Sequence, residues 1–244
     1  MTIATRFAAA LEDATAGGDA GADLLPVRLA RASATTLGVD AAGLSVVDAS
    51  GARIPLGGSS TDAACAERLQ FTVGEGPCWV AQRTRQPVFA VAADLHRRWP
   101  AFAELLVDRT PFRAVVAFPL REDLAGAGAL DLYFTDEAAV PALDVFSAVA
   151  VGELATAALT EAAVWSDWPA ERGPAWLHGP EALRRAAVLR AAGRAAMALD
   201  TDAAAALALL RAAAYAGGRL VEDVAEDLEA GRLRIEDIAA GPAA

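Results

Sequence analysis

At 244 residues, with 32 acidic side chains against 21 basic ones, the chain carries a formal charge of −11. That balance repels polyanions on average, so any contact with nucleic acid must rest on a local patch, and DNA is not an expected partner. Two cysteines thirteen positions apart and two histidines, His96 and His178, do not supply the spacing of a zinc site, so no metal is expected.

The first fourteen residues lack the basic start and apolar block of a signal peptide, and no apolar run approaches the roughly 18 residues of a membrane span. The expected location is the cytoplasm. Residues 1–23 read as a short helical arm ending in a flexible Ala/Gly stretch. Residues 24–37 are predicted as an amphipathic helix, with Leu25, Leu29 and Ala32 on one face and Gly38 as its stop. Strands follow at 42–48 and 53–56, joined by a turn at 49–51. A short helix at 61–68 and an extended piece at 69–73 lead into the sharp turn Gly74-Glu75-Gly76-Pro77, which opens a helix with proline in its first turn. Another strand is predicted at 87–92, then a helix beginning near Trp99-Pro100. The strongest strands are 113–120 (RAVVAFPL) and 128–134 (GALDLYF); Leu130, Leu132 and Phe134 alternate there against Asp131 and Tyr133. A long helix over 142–164 closes the unit. Strands joined by short turns and flanked by helices predict an α+β fold with an antiparallel sheet over residues 24–164.

Residues 165–180 hold three prolines and three of the five tryptophans, and read as a linker pinned against the first domain. Beyond it, 181–238 carries three short apolar stripes: Leu183, Val188, Leu189, Ala192, Ala195, Ala196 and Leu199; then Leu207, Leu210 and Ala214; then Val221, Val224, Ala225 and Leu228. Asp200 or Thr201 is the expected cap of the second helix. Stripes this short must bury against one another, which predicts an all-α three-helix bundle followed by a tail at 239–244.

The string at 67–78 (ERLQFTVGEGPC) resembles the GAF domains of actinobacterial GAF–ANTAR regulators. So do Pro87-Val88, Asp94-Leu95, Arg98-Trp99-Pro100, Phe118-Pro119-Leu120 and the run 128–133. The bundle is similar to an ANTAR domain, an RNA-binding three-helix module. Ala191-Ala192-Gly193 matches the pattern of its first helix, Ala206-Leu207, Leu210-Arg211 and Ala214 that of its second, and Val224-Ala225 that of its third. Many members carry lysine where this chain has Ala192. The resemblance implies a transcription antiterminator that grips paired RNA stem-loops as a dimer when its sensor permits.

Residues 181–219 carry six arginines against three acids, whereas 220–244 carry two against seven. A basic first half beside an acidic second half suits docking on phosphates in one orientation. Arg184, Arg190 and Arg194 on the first helix, with Arg211 and Tyr215 on the second, are the RNA-contact candidates. The competing reading of the arginines is a solvated helix face, and that of Tyr215 a core position. In the sensor, Cys78, Trp79, His96, Trp99, Phe118 and Tyr133 are candidates to line a small-molecule pocket. Cys78 follows a turn aiming helix-initial amides, a geometry that lowers a thiol pKa; burial as a small apolar residue is the alternative. The sensed molecule and any cofactor are not named by these residues. No nucleophile–base pair, metalloprotease motif or paired carboxylates emerge, so an enzyme is not expected. In the long helix Val145, Val149, Gly152, Thr156, Leu159 and Ala163 recur at fours and threes, a seam suited to a homodimer and to covering the sheet. The sequence thus reads as a signal-responsive RNA-binding regulator. Its rival is a non-enzymatic dimerisation or partner-docking protein whose bundle has lost RNA binding.

Overall fold

A computed structural model of the chain describes residues 1–17, 21–47, 53–123, 126–165 and 173–239. The predicted turn at 49–51, residues 166–172 of the linker and the end of the tail lie outside these residues.

Five antiparallel strands form the sheet: β1 (Ala41–Val47), β2 (Arg53–Gly58), β3 (Val88–Ala90), β4 (Ala114–Asp123) and β5 (Gly126–Phe134), in the order β2-β1-β5-β4-β3. Alternation along each strand divides the side chains between two layers. Leu44, Val46, Val116, Phe118, Leu130 and Leu132 face an apolar core under α1 (Ile3–Ala16), α2 (Leu25–Leu37) and α7 (Val145–Trp165). Val115, Ala117 and Tyr133 face the opposite layer, built by α3 (Thr61–Val73), α4 (Pro77–Thr84), α5 (Ala92–Arg98) and α6 (Pro100–Arg109). The α+β architecture with an antiparallel sheet is therefore as the sequence predicts.

Several elements differ from expectation. Residues 69–73 are not extended: they complete α3, whose carbonyls are closed by Gly74 in the left-handed region at φ 75°. Both sides of this half-helix are buried, so its residues show no single apolar stripe. The segment after β3 is two helices, bent at Trp99 (φ −142°, ψ 66°). The first helix is no free arm, because Phe7 and Ala10 are buried in the apolar core. In α7 the buried face is Ala148, Val151, Gly152, Ala155, Thr156, Leu159 and Ala163, whereas Val145 and Val149 are 36% and 44% exposed. This helix is long and apolar enough to cross a bilayer; Glu153 and Glu161 interrupt what would otherwise read as an apolar run. Trp176 is buried beneath it and donates its indole N–H to the Leu159 carbonyl at 3.2 Å.

The bundle comprises α8 (Pro180–Ala198), α9 (Ala203–Ala216), α10 (Val221–Glu229) and a short fourth helix, α11 (Ile235–Ala239), whose Ile238 joins the core. Asp202, not Asp200 or Thr201, caps α9 by accepting from the Ala205 amide at 2.7 Å. The buried arc of α8 is Ala182, Arg185, Val188, Ala191, Ala192, Ala195 and Ala196. Leu183 and Leu189, expected in that arc, are 54% and 37% exposed. The arc is turned because its centre receives a ring from outside the bundle, described next.

Candidate functional site

Helix α3 is the element shared by both halves. Toward the sheet it sends Glu67 and Gln70; toward the bundle it sends Phe71.

The inner side is a sealed polar layer. Arg53 from β2, Glu67 and Gln70 from α3, and Asp131 and Tyr133 from β5 are each at most 1% exposed. Arg53 pairs with the Glu67 carboxylate and donates from Nη1 to the Glu67 carbonyl at 3.2 Å, with Asp131 at 3.8 Å. Tyr133 donates to Glu67 Oε1 at 2.6 Å. Gln70 donates to Asp131 Oδ2 at 2.7 Å and accepts from the Cys78 amide at 3.1 Å, tying the turn at 74–77 to the sheet. Gly76 lies so close that an added Cβ would meet Gln70 Oε1 at 2.4 Å. Burial opposes the charge on Arg53, but Cys78, Glu67 and Asp131 around it more than offset that and hold its proton. Burial, with Glu67 adding to it, pushes the Asp131 carboxyl well up. Asp131 Oδ1 and Arg53 Nε have no hydrogen-bond partner within the layer.

The outer side is a reciprocal exchange of side chains. Phe71, fully buried, belongs to the bundle core with Val188, Ala191, Ala192, Leu210, Ala214 and Val221. In return Leu220, just before α10, is buried in the core between the sheet and α3–α6 with Leu69, Leu105 and Leu106. Arg185 lies with Cζ 3.2 Å from the Phe71 ring centre and donates from Nε to the Arg53 carbonyl at 2.8 Å. Arg211 lies over the same ring at 4.6 Å. The Val221 amide donates to Thr72 Oγ1 at 3.2 Å, Arg109 bonds the Gly218 carbonyl, and Tyr215 donates to Glu104 Oε2 at 3.2 Å. Arg68 and Glu181 face one another at 4.0 Å. Burial lowers Arg211 to about 10, with the Arg53 charge adding to it, and raises the largely buried Glu222 to about 7.

The five RNA-contact candidates fall on two surfaces. Arg184, Arg190 and Arg194 share the solvent side of α8. Arg184 is paired with Glu181 at 2.5 Å, Arg190 reaches Glu229 at 3.5 Å, and Arg194 is exposed with no ion pair among the described residues. Arg211 and Tyr215 instead face α3 and α6, at Phe71 and Glu104. The position expected to carry lysine is Ala192, 2% exposed in the core around Phe71, where an ammonium would be desolvated.

The six sensor candidates do not line one cavity. Cys78 is sealed against the polar layer, and burial raises its thiol well above the usual range, with Arg53 opposing; the expected lowering is reversed. Tyr133 joins that layer, whereas Phe118 lies on the other side of the sheet, at a cleft of about 210 Å³ with Arg85, Arg121, Val149 and Gly152. The register explains this: Val115 pairs with Tyr133 and Phe118 with Leu130, so 118 and 133 have opposite parity. His96 is exposed and its Nδ1 meets the Ala92 carbonyl at 2.8 Å. Trp99 is buried beneath Arg98, at 4.2 Å from its ring centre, and Trp79 is partly buried. Sequence reading missed Arg53, Glu67, Gln70, Asp131, Arg185 and Phe71. Asp131 gave a signal, a carboxylate inside the strongest strand, but alternation alone reads such a residue as facing solvent.

No family model matches this sequence, and no curated protein matches it. Among solved structures, the chain is similar to a domain of a two-component sensor histidine kinase protein from Sinorhizobium meliloti 1021, at 15% identity and a TM-score of 0.42. That match covers 58% of this chain and 92% of that one. The GAF domain of an Acinetobacter phosphoenolpyruvate-protein phosphotransferase aligns at 11% identity and a TM-score of 0.42, over 68% of this chain and 96% of that one. The corresponding GAF domain from Coxiella burnetii aligns at 16% and 0.40, over 66% and 96%.

Proposed function

We propose that the chain is a signal-responsive regulator in which a GAF-like sensor, 24–164, controls an ANTAR-like bundle, 181–238, that binds RNA stem-loops and acts as a homodimer in transcription antitermination. The observation that carries this reading is the arrangement of α8. Its outer side presents Arg184, Arg190 and Arg194 to solvent, while its inner side is plugged by a sensor side chain. An output surface and an input contact thus share one rigid helix. Guanidinium groups spaced along a helix suit the phosphates of an RNA stem, and two bundles in a dimer would raise the effective concentration of a second stem-loop. Val145, Phe146, Val149, Val164 and Trp165, the last 83% exposed, offer α7 an apolar surface for that pairing.

The test is crosslinking of the purified protein to total cellular RNA, with wild type set against Arg190→Ala/Arg194→Ala. Stem-loops are expected in the wild-type fraction and depleted in the variant. Equal recovery with no stem-loop enrichment sinks the reading.

A second reading, a dimerisation or partner-docking protein without RNA contact, draws on the same helix. Ala192 is buried, and Arg184 and Arg190 already have carboxylates beside them. The crosslinking experiment separates the two.

A further inference from the structure

The cleft of about 210 Å³ beside Phe118 lies at the β3–β4 edge of the sheet, and none of its lining residues belongs to the polar layer or to the bundle. It is smaller than the roughly 300–1,000 Å³ of a site for a drug-sized ligand, so its occupant has to be a small molecule. The walls are largely apolar: Pro87 just before β3, Phe118 and Pro119 of β4, and Val149 of α7. Gly152, one turn further along α7, adds no side chain to fill the space. Phe118 is itself held in place by Phe89, the two rings meeting edge to face with centres 6.2 Å apart.

Three charged residues line the same cleft: Arg85, which closes α4, Arg121 of β4 and Glu153 of α7. Arg121 Nη1 and Glu153 Oε1 lie 3.8 Å apart, beyond hydrogen-bond length, and both side chains are exposed. So open a pair contributes little to stability, and both charges can turn to a ligand at little cost. Arg85 takes φ 57°, a left-handed conformation that glycine fills readily and other residues seldom do. An arginine at that position sets a second guanidinium at the cleft. Apolar walls with adjacent charges of opposite sign at the rim match one class of small molecule. An α-amino acid carries its carboxylate and its ammonium on a single carbon, with the side chain leading away from both. A plain carboxylate would leave Glu153 unmatched, and a plain amine would leave Arg121 unmatched.

We propose that this cleft binds a small apolar α-amino acid, with its side chain against Phe118, Pro119 and Val149, its carboxylate at Arg121 and Arg85, and its ammonium at Glu153. The site is independent of the RNA-binding reading and stands or falls without it. Of the six residues expected to line a sensor pocket, it uses Phe118 alone. A charged side chain on the amino acid is selected against, because the apolar walls would desolvate it without offering a partner. Val149 also belongs to the exposed face of α7, so the cleft and the surface for pairing two copies share one residue.

The test is isothermal titration calorimetry of the full chain with L-phenylalanine and L-leucine, with the analogue of each that lacks the ammonium, with the analogue that lacks the carboxylate, and with L-glutamate. Wild type, Arg121→Gln, Glu153→Gln and Val149→Trp are compared, each checked for helix content by far-UV circular dichroism and for assembly by sedimentation. All three positions are exposed, so the variants are expected to fold. At least one of the two apolar amino acids should bind wild type, its analogues should bind about ten- to 150-fold more weakly, and L-glutamate should not bind. Arg121→Gln should erase the preference over the analogue without a carboxylate, and Glu153→Gln the preference over the analogue without an ammonium. Val149→Trp places an indole in the cleft and should abolish binding; where it alters sedimentation, the two charge variants decide. The absence of saturable heat with both apolar amino acids overturns the proposal. So does equal affinity for an amino acid and its two analogues, or binding that all three substitutions leave unchanged.

Discussion

The two layers packed on the sheet solve the same problem in opposite ways. Under α1, α2 and α7 the side chains of β1, β4 and β5 meet apolar partners, and the contact has no preferred direction. Under α3 and α4 the same strands present Asp131 and Tyr133, and β2 presents Arg53, to Glu67, Gln70 and the Cys78 amide, where every bond has a fixed partner. The apolar layer tolerates small shifts. The polar layer is held by directional bonds, and Arg185 of the bundle bonds the main-chain carbonyl of Arg53 beside it. Apolar packing and directional bonding thus fall on different sides of one sheet, a division of labour that the variants below test.

Breaking the polar layer should have the largest effect. Arg53→Ala leaves Glu67 and Asp131 buried without their cation, at an expected cost of about 3–5 kcal/mol in urea unfolding. It should also reduce amide-exchange protection in α3 and α8, because the strand that holds Arg185 loses its anchor. A cost under about 1 kcal/mol would mean that the layer is held by packing instead. A cut in the apolar layer of nearly equal size should stay local. Leu130→Ala is expected to cost about 3 kcal/mol while exchange in α8, normalised to the new global stability, is unchanged. If both variants loosen α8 alike, the proposed division of labour fails.

The smallest of the three effects lies at the seam and depends on pH. Glu222 faces Arg68, Glu181 and Arg185, and its pKa is raised from 4.5 to about 7, burial being the largest cause. The folded chain therefore binds this proton more tightly than the unfolded chain. The associated stability is complete below about pH 4.5 and is lost as pH rises through about 7. Glu222→Gln should remove that slope and exceed wild type by about 2 kcal/mol at pH 8, given 1.36 kcal/mol per pKa unit and partial solvent access. Parallel stability–pH curves for the two proteins would exclude Glu222 as the group responsible.

Much of the fold was legible because the signals were local. Strand alternation, Gly38 as a helix stop, and Pro77 at a helix start each act within a few residues. The site was less legible because its decisive contacts are not local. Phe71 lies 139 positions from Leu210, and nothing around either residue announces the other. Alanine-rich α8 hid its own orientation: with so many small residues on every side, Leu183 and Leu189 set the apparent apolar arc, whereas the true arc turns toward Phe71. Asp131 was passed over for a related reason, since a strand covered on both sides alternates between two interiors rather than between interior and water.

The exchange of Phe71 for Leu220 also sets an order of events during synthesis. The last strand of the sheet ends at Phe134 and α7 at Trp165, while the apolar cluster around Phe71 draws on residues as far along as Val221 and beyond. At roughly 5–20 residues per second, the nascent sheet unit waits for about 3–11 seconds before Val221 is made, with that ring bare. Through that interval the growing chain displays an aromatic side chain, and its first chance to hide it is the arrival of its own bundle.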